Sequence, residues 1–195
     1  AKTLSYLDLS QTIVSEEYAR ALAATGYKVK CQFAIDTGMN RIGLDAKNPA
    51  VCSSIIRSFV DKLCVERILT HLCVADSLSD DNKQFTVNQI EKFKKVLDLV
   101  TDLQLPYVHC SNSAGGLYYL NEGEAFNGIE KIVRLGIVLY GLKPDRSNVL
   151  PEGITPAMTW KSAISMVKEV KAGESVGYGR TFVAERDMRI ATVTT

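Results

Sequence analysis

The sequence predicts an α/β fold that gives way to β structure near its C-terminus, on two observations. From Thr3 to Val138, short apolar runs that end in polar clusters alternate with longer stretches of helical spacing, the rhythm of strands alternating with helices. After Tyr140 that rhythm stops: GlyLeuLysProAspArgSer and LeuProGluGlyIleThrPro are rich in turn residues, and no amphipathic helix follows them. A boundary near Pro151 therefore divides an α/β domain, residues 1–150, from the start of a β domain, residues 151–195.

Five strands are expected in the first part, over 5–9, 31–37, 67–71, 106–110 and 131–140, the last open to a break at Gly136. Between the first two, Ser15 caps a helix whose first turn carries Glu16 and Glu17, which suits the positive end of the helix dipole, and Gly26 supplies a stop. Asn48 followed by Pro49 opens the next helix. The clearest helix runs from about Thr86 to Asp102, where Val87, Ile90, Phe93, Leu97 and Val100 recur every three or four residues with lysines between them. That stripe is core packing. In the second part, 158–170 alternate loosely, ValLysAlaGlyGluSer is a turn, and ArgIleAlaThrValThrThr is β-branched to its end. Because the chain opens without Met on one expected strand and closes on another, it is expected to be a fragment.

Composition removes several classes of function. The 195 residues carry 23 Lys and Arg against 22 Asp and Glu, a net charge of +1, with no basic block, so nucleic acid is set aside as a partner. No apolar run approaches the roughly 20 residues needed to span a bilayer, and the N-terminus lacks the regions of a signal peptide. Cys31, Cys52, Cys64, Cys73 and Cys110 are odd in number, widely spaced and short of histidine co-ligands, which fits neither a disulfide scaffold nor a metal site. Their apolar neighbours read as those of buried free thiols in a reducing, cytoplasmic setting.

Four strand ends carry polar groups in apolar settings. AspThrGlyMetAsnArgIleGly, 36–43, places Gly38 where backbone comes close and Arg41 where it either serves a site or pairs on the surface. ThrHis at 70–71, HisCysSerAsnSerAlaGlyGly at 109–116 and ArgLeuGly at 134–136 mark the others. Asn112, Ser113 and the backbone near Gly136 offer donors suited to a phosphate. Tyr178, between two glycines, reads either as an exposed catalytic phenol or as a packed aromatic at a turn.

Taken in order, these segments together with ValArgLeuGlyIleValLeuTyrGlyLeu and GlyGluSerValGlyTyrGlyArgThrPhe resemble the pyridoxal-phosphate-dependent alanine racemase family over nearly the whole chain. The resemblance implies the second half of a PLP-binding (β/α)₈ TIM-type barrel followed by the start of a C-terminal β domain. It also implies racemisation of a small amino acid, L- and D-alanine or serine, by two-base proton transfer at the α-carbon, supplying D-amino acids for peptidoglycan. Pyridoxal 5′-phosphate is the implied cofactor and a homodimer the implied assembly, with Tyr178 serving one face from the partner subunit. Arg134 matches the arginine on the pyridine nitrogen, His71 the histidine that supports it, and Arg41 the one reaching the phenolic oxygen. Asn112, Ser113, Gly136 and Ile137 match the remaining cofactor-pocket positions, with Ser113 and the two backbone amides on the phosphate. Two departures accompany the match. Ala34 stands where many members have a carbamate-bearing Lys, and the cofactor Lys is missing, so the chain alone is expected to be inactive. AspLeuSerGlnThrIleValSerGluGluTyrAlaArg and Ala34 are also similar to the serine/alanine racemases of vancomycin-resistance clusters, which carry a membrane domain ahead of the racemase. The competing readings are a barrel PLP decarboxylase and a non-catalytic PLP-binding barrel protein.

Overall fold

The computed structural model describes residues 1–119 and 132–194, which fall into two compact units, Ala1–Thr155 and Pro156–Thr195. The first unit begins with helix α1 (Lys2–Tyr6), strand β1 (Gln11–Ile13), helix α2 (Glu16–Ala23) and strand β2 (Lys30–Asp36). It continues through β3 (Leu44–Asp45), α3 (Pro49–Arg57), β4 (Cys64–Leu69), α4 (Asp80–Asp98), β5 (Tyr107–His109) and α5 (Ser113–Tyr118). Strands β1, β2, β4 and β5 lie side by side in that order, all parallel, and β3 pairs in parallel with the far end of β2. Parallel neighbours joined by helices send every strand's C-terminal end to one rim.

The caps form as the sequence implies. Ser15 Oγ accepts from Tyr18 N and Asn48 Oδ1 from Val51 N, so each helix start gains an acceptor for an otherwise orphaned N–H. Alternation along β2 decides which side is core. Cys31, Phe33 and Ile35 turn towards the helices and pack with Ile13, Ile56, Ile68, Phe93 and Val96, whereas Gln32, Ala34 and Asp36 face a cavity on the inner side of the sheet.

Four expectations are corrected. Residues 5–9 form no strand. Leu4 and Leu7 are also spaced as one helical turn, α1 takes 2–6, and the strand is the more polar Gln11–Ile13. No described residue of 131–140 is in a strand. Residues 132–136 are irregular and Ile137–Tyr140 form a 3₁₀ turn, because Gly136 (φ −117°, ψ −95°) and Gly141 (φ +74°) break the extended run at both ends; Lys131 lies outside the described residues. The long helix starts at Asp80 on a Ser79 cap and ends at Asp98, its polar first turn having hidden its beginning. Among the thiols, Cys31, Cys52 and Cys110 are buried, but Cys64 is exposed.

A glutamine on the buried face of α4 ties the rim together. Gln89 donates through Nε2 to Thr37 Oγ1 (3.2 Å) and His71 O (3.2 Å) and accepts from Cys73 N (3.1 Å) at Oε1. Thr37 and Thr70 share a hydroxyl hydrogen bond of 2.8 Å beside it. The ends of β2 and β4 are thus fixed to one helix by satisfied buried polar groups.

The close backbone approach in the 36–43 loop falls at Gly43 rather than Gly38. At Gly43, φ is +116° and an added Cβ would lie 2.8 Å from Ala34 O and Asp36 N. Gly26 also has positive φ, +74°, but with nothing within 4 Å. Gly43→Ala is expected to destabilise the full-length protein by on the order of 3 kcal/mol or more, since a backbone clash adds to strain, against about 1 kcal/mol for Gly26→Ala. Urea unfolding of the two variants side by side tests this, and equal costs would refute the close-approach assignment.

The second unit contains β6 (Ile164–Val170), β7 (Ser175–Val176), β8 (Phe182–Val183) and β9 (Met188–Val193). β6 pairs antiparallel with β9 and β7 with β8. The β7–β8 hairpin turns through Gly177 and Gly179, at φ +77° and +72°, and its 3₁₀ tip, Tyr178–Arg180, leaves Tyr178 fully exposed. Arg180 is held at φ +55° by its Nε donating to Ser175 Oγ (2.8 Å).

Candidate active site at the strand ends

Two concavities open at the rim of the first unit. One, of about 220 Å³, runs along the inner face of the sheet and is lined by Thr12, Gln32, Asp36, Arg41, His71, His109 and Arg134 among others. The other, of about 300 Å³, is lined by residues that include Asn112, Ser113, Gly136 and Ile137. They share Met39, His71 and Arg134, so one arginine and one imidazole wall both.

Arg134 is the centre of the site. Its Nη2 donates to Thr70 O (2.7 Å), Cys110 O (3.2 Å) and His71 Nδ1 (3.2 Å), and its Nη1 to His109 Nδ1. Its backbone N–H donates to Ser111 O (3.0 Å), placing the irregular 132–136 segment against the end of β5. Guanidinium has donors only, so both imidazoles must turn a bare nitrogen towards it. Burial first, and then the charges of Arg134 and Arg41, hold His71 below its ordinary value. Burial, Arg134 and Arg67 push His109 down to about 4.

The residues expected to bind an anion form a more specific arrangement, in which the Gly136 amide serves Ser113 rather than standing beside it as a second phosphate donor. Ser113 Oγ accepts from Gly136 N (2.9 Å) and Val138 N (3.5 Å), so Gly136 N–H is directed at the serine, and the hydroxyl proton is left to point away from both. Ile137 opens the 3₁₀ turn, where an N–H lacks an intrahelical acceptor. Asn112 bridges the rim: its Nδ2 donates to Leu72 O (2.9 Å) and its Oδ1 accepts from Gly115 N (2.9 Å). Arg41 is exposed at the mouth of the first cavity, beyond a turn in which Asp36 Oδ1 accepts from Gly38 N and Asn40 N. Tyr178 belongs to the second unit.

Sequence reasoning missed three members. His109 was read as a strand-end residue but not as a partner of Arg134, although its position at the end of an apolar run was the signal. Gln32 and Gln89 were missed as well; a Gln four residues before Phe93 on a buried helix face marks a polar group that must find partners.

The site suits a small aromatic cofactor bearing an anionic group. It offers a donor-only guanidinium for a ring acceptor, and the Ser113 hydroxyl and the Ile137 N–H for a phosphate within a cavity of about 300 Å³. No lysine lines either cavity among the described residues, so a covalent anchor is not supplied by them.

Comparison with known proteins agrees with this geometry. Residues 1–144 match the family model for the alanine racemase N-terminal domain, and residues 157–195 that for the C-terminal domain. An alanine racemase of Halothermothrix orenii is 36% identical over 192 residues, 95% of this chain and 48% of that protein. An amino-acid racemase of Enterococcus faecalis is 33% identical over 98% of this chain and 26% of its own length. The crystal structure of alanine racemase from E. faecalis superposes with a TM-score of 0.74 at 30% identity, covering 98% of this chain and 51% of that one. The chain spans about half the length of most of these relatives. Its α/β unit is accordingly part of a TIM-type (β/α)₈ barrel, followed by a β segment of the C-terminal domain.

The depressed histidines make stability pH-dependent. His109 falls from the ordinary 6.5 to about 4 in the fold, so between those values the unfolded chain binds more protons and stability drops as pH falls. Full-length protein is expected to lose about 3 kcal/mol from this residue between pH 7.5 and 4. His109→Asn should flatten that portion of a urea-midpoint series against pH, and an unchanged slope would contradict the buried neutral state.

Proposed function

The chain belongs to the alanine racemase family, whose members depend on pyridoxal phosphate, and from that premise we propose that the full-length protein interconverts L- and D-alanine. The observation that carries this reading is Arg134, a guanidinium fixed by two strand-end carbonyls and two imidazoles beside a cradle of phosphate-type donors. When bound, pyridoxal 5′-phosphate supplies an electron-withdrawing ring that makes the substrate's Cα–H bond acidic.

The residues have distinct tasks in this reading. Arg134 would hold the ring nitrogen as a donor that keeps its own proton. Ser113 O–H and Ile137 N–H would hold the phosphate, with Gly136 orienting the serine. His71 supports the arginine, and Arg41, at the cavity mouth, would hold the phenolic oxygen. Asn112 positions the loop that carries Ser113. Tyr178, exposed at a hairpin tip, moves a proton on one face of the substrate in a second copy's site, so the working unit is a homodimer.

Serine is the second substrate to test, given the similarity to the vancomycin-resistance racemases and a relative named amino-acid racemase. The enzyme works on the cytoplasmic side and feeds peptidoglycan with D-amino acids; a membrane tether elsewhere in the protein is the variant that similarity raises. No described helix is long and apolar enough to cross a membrane.

The test is an absorbance spectrum of full-length protein with pyridoxal phosphate, followed by chiral assays on alanine and serine. Inversion of either substrate supports the reading and picks between them. Cofactor absorbance without inversion favours a binding protein, carbon dioxide release favours a decarboxylase, and no absorbance removes the assignment. Tyr178→Phe is expected to keep the cofactor spectrum while slowing racemisation by about 100-fold to 10,000-fold. Hydrogen exchange from D₂O into each alanine enantiomer reads this face by face, and equal loss on both faces would argue against a one-face role.

A further inference from the structure

The hydrogen-bond chain that begins at Arg134 does not end at His109. Thr12, Gln32, Arg67 and Tyr107 stand opposite one another across β1, β2, β4 and β5, one level below His109 on the inner face. From that level, Gln32 Oε1 lies 3.0 Å from His109 Nε2, and Gln32 Nε2 lies 2.8 Å from Thr12 Oγ1.

The donors and acceptors of this chain can be assigned in one direction only. Arg134 has no acceptor, so His109 Nδ1 is bare where Nη1 meets it. A neutral imidazole with a bare Nδ1 carries its proton on Nε2, and that proton needs an acceptor. Gln32 Oε1 is that acceptor, which leaves the amide Nε2–H for Thr12 Oγ1. Turning the amide over would set N–H against N–H at His109. The amide orientation, the tautomer and the guanidinium contact are therefore one linked choice.

We propose that Gln32 is a positioning residue, whose amide oxygen locks His109 in the Nε2–H tautomer and so keeps a bare nitrogen facing Arg134. The proposal rests on the racemase reading only in taking Arg134 to meet the cofactor; the tautomer is a property of the protein itself. The charged and titratable groups around the ring are Arg134, Arg67 on β4, Tyr107 on β5, Asp36 at the end of β2, Arg41 beyond it, and His71 beyond β4. The nearest of these are cations, and with burial they oppose a second proton on the ring. A neutral amide at position 32 is consistent with that balance, whereas a carboxylate in its place would reverse it.

Full-length protein labelled with ¹⁵N-histidine, with and without pyridoxal phosphate, gives the tautomer directly from long-range ¹H–¹⁵N correlations. His109 is expected to be neutral, with its proton on Nε2, at pH 7 in both forms. Gln32→Glu should raise its titration midpoint by about 1–3 pH units, placing Nδ1–H against Arg134. In that variant kcat/KM should fall by up to about 100-fold below the new midpoint and recover above it, an alkaline recovery that a merely structural defect would not give. Gln32→Met, with neither acceptor nor charge, should lose the hydrogen-bonded Nε2–H signal and show no such recovery. A wild-type Nδ1–H tautomer, an unmoved midpoint in Gln32→Glu, or an unchanged Nε2–H signal in Gln32→Met would each overturn the proposal. The wild-type tautomer needs no variant to fold, and an intact Nε2–H with no cofactor absorbance would remove the racemase reading while leaving this one standing.

Discussion

A guanidinium that can only donate governs this site. Arg134 stands between the ends of β4 and β5, and each group to which its guanidinium donates has to be an acceptor. Two of those acceptors are main-chain carbonyls, Thr70 O and Cys110 O, which are available because they sit just past the strands, where the sheet ladder stops. The other two are imidazole nitrogens, left bare by the contact with the arginine, while burial and then its charge hold the rings neutral. Parallel topology is what makes this arrangement accessible. Strands running the same way bring Thr37, Thr70, His71 and His109 to one rim, although 72 residues of sequence separate the first from the last.

Holding that rim in place falls to buried polar side chains outside the chemistry. Gln89 reaches from α4 to both Thr37 and the His71–Cys73 turn, and Asn148, fully buried, joins Asp145 N to Asp76 O. Each has its amide used at both ends, so neither pays the cost of an orphaned buried dipole. A purely apolar contact at the same places would pack as well but would not fix the direction of the loops, because dispersion has no preferred angle. The hydrogen bonds supply that direction, and the donor-only arginine depends on it.

The sequence was informative where one local rule settles structure. Ser15 and Asn48 cap helices, β2 has the expected bounds to within a residue, and GlyTyrGlyArg sits at a hairpin tip, because capping and turn chemistry depend only on near neighbours. It misled where a short apolar run fits two periodicities, as at 5–9, or where glycine conformation decides, as at Gly136. The candidate site divided the same way. His71, Ser113 and Arg134 were marked by their place at predicted strand ends, and they do line the cavities. The pairing of His109 with Arg134, and of Gln32 with His109, spans 25 and 77 residues respectively and is set by register, which no local pattern encodes.

The two halves of the proposed chemistry are built on opposite physical terms. At the rim, low exposure and satisfied partners hold the imidazoles neutral and the guanidinium still, so the groups need little reorganisation when a ligand arrives. Tyr178 has the reverse setting: a hairpin tip bent through two glycines of positive φ and a strained Arg180, with its side chain entirely in water. Among the described residues no hydrogen-bond partner directs that phenol. Selective proton transfer from such a phenol needs a second surface to exclude water and supply the geometry, which is why the proposal that gives Tyr178 a catalytic task also calls for an assembly, while the Arg134 site is built by the fold alone.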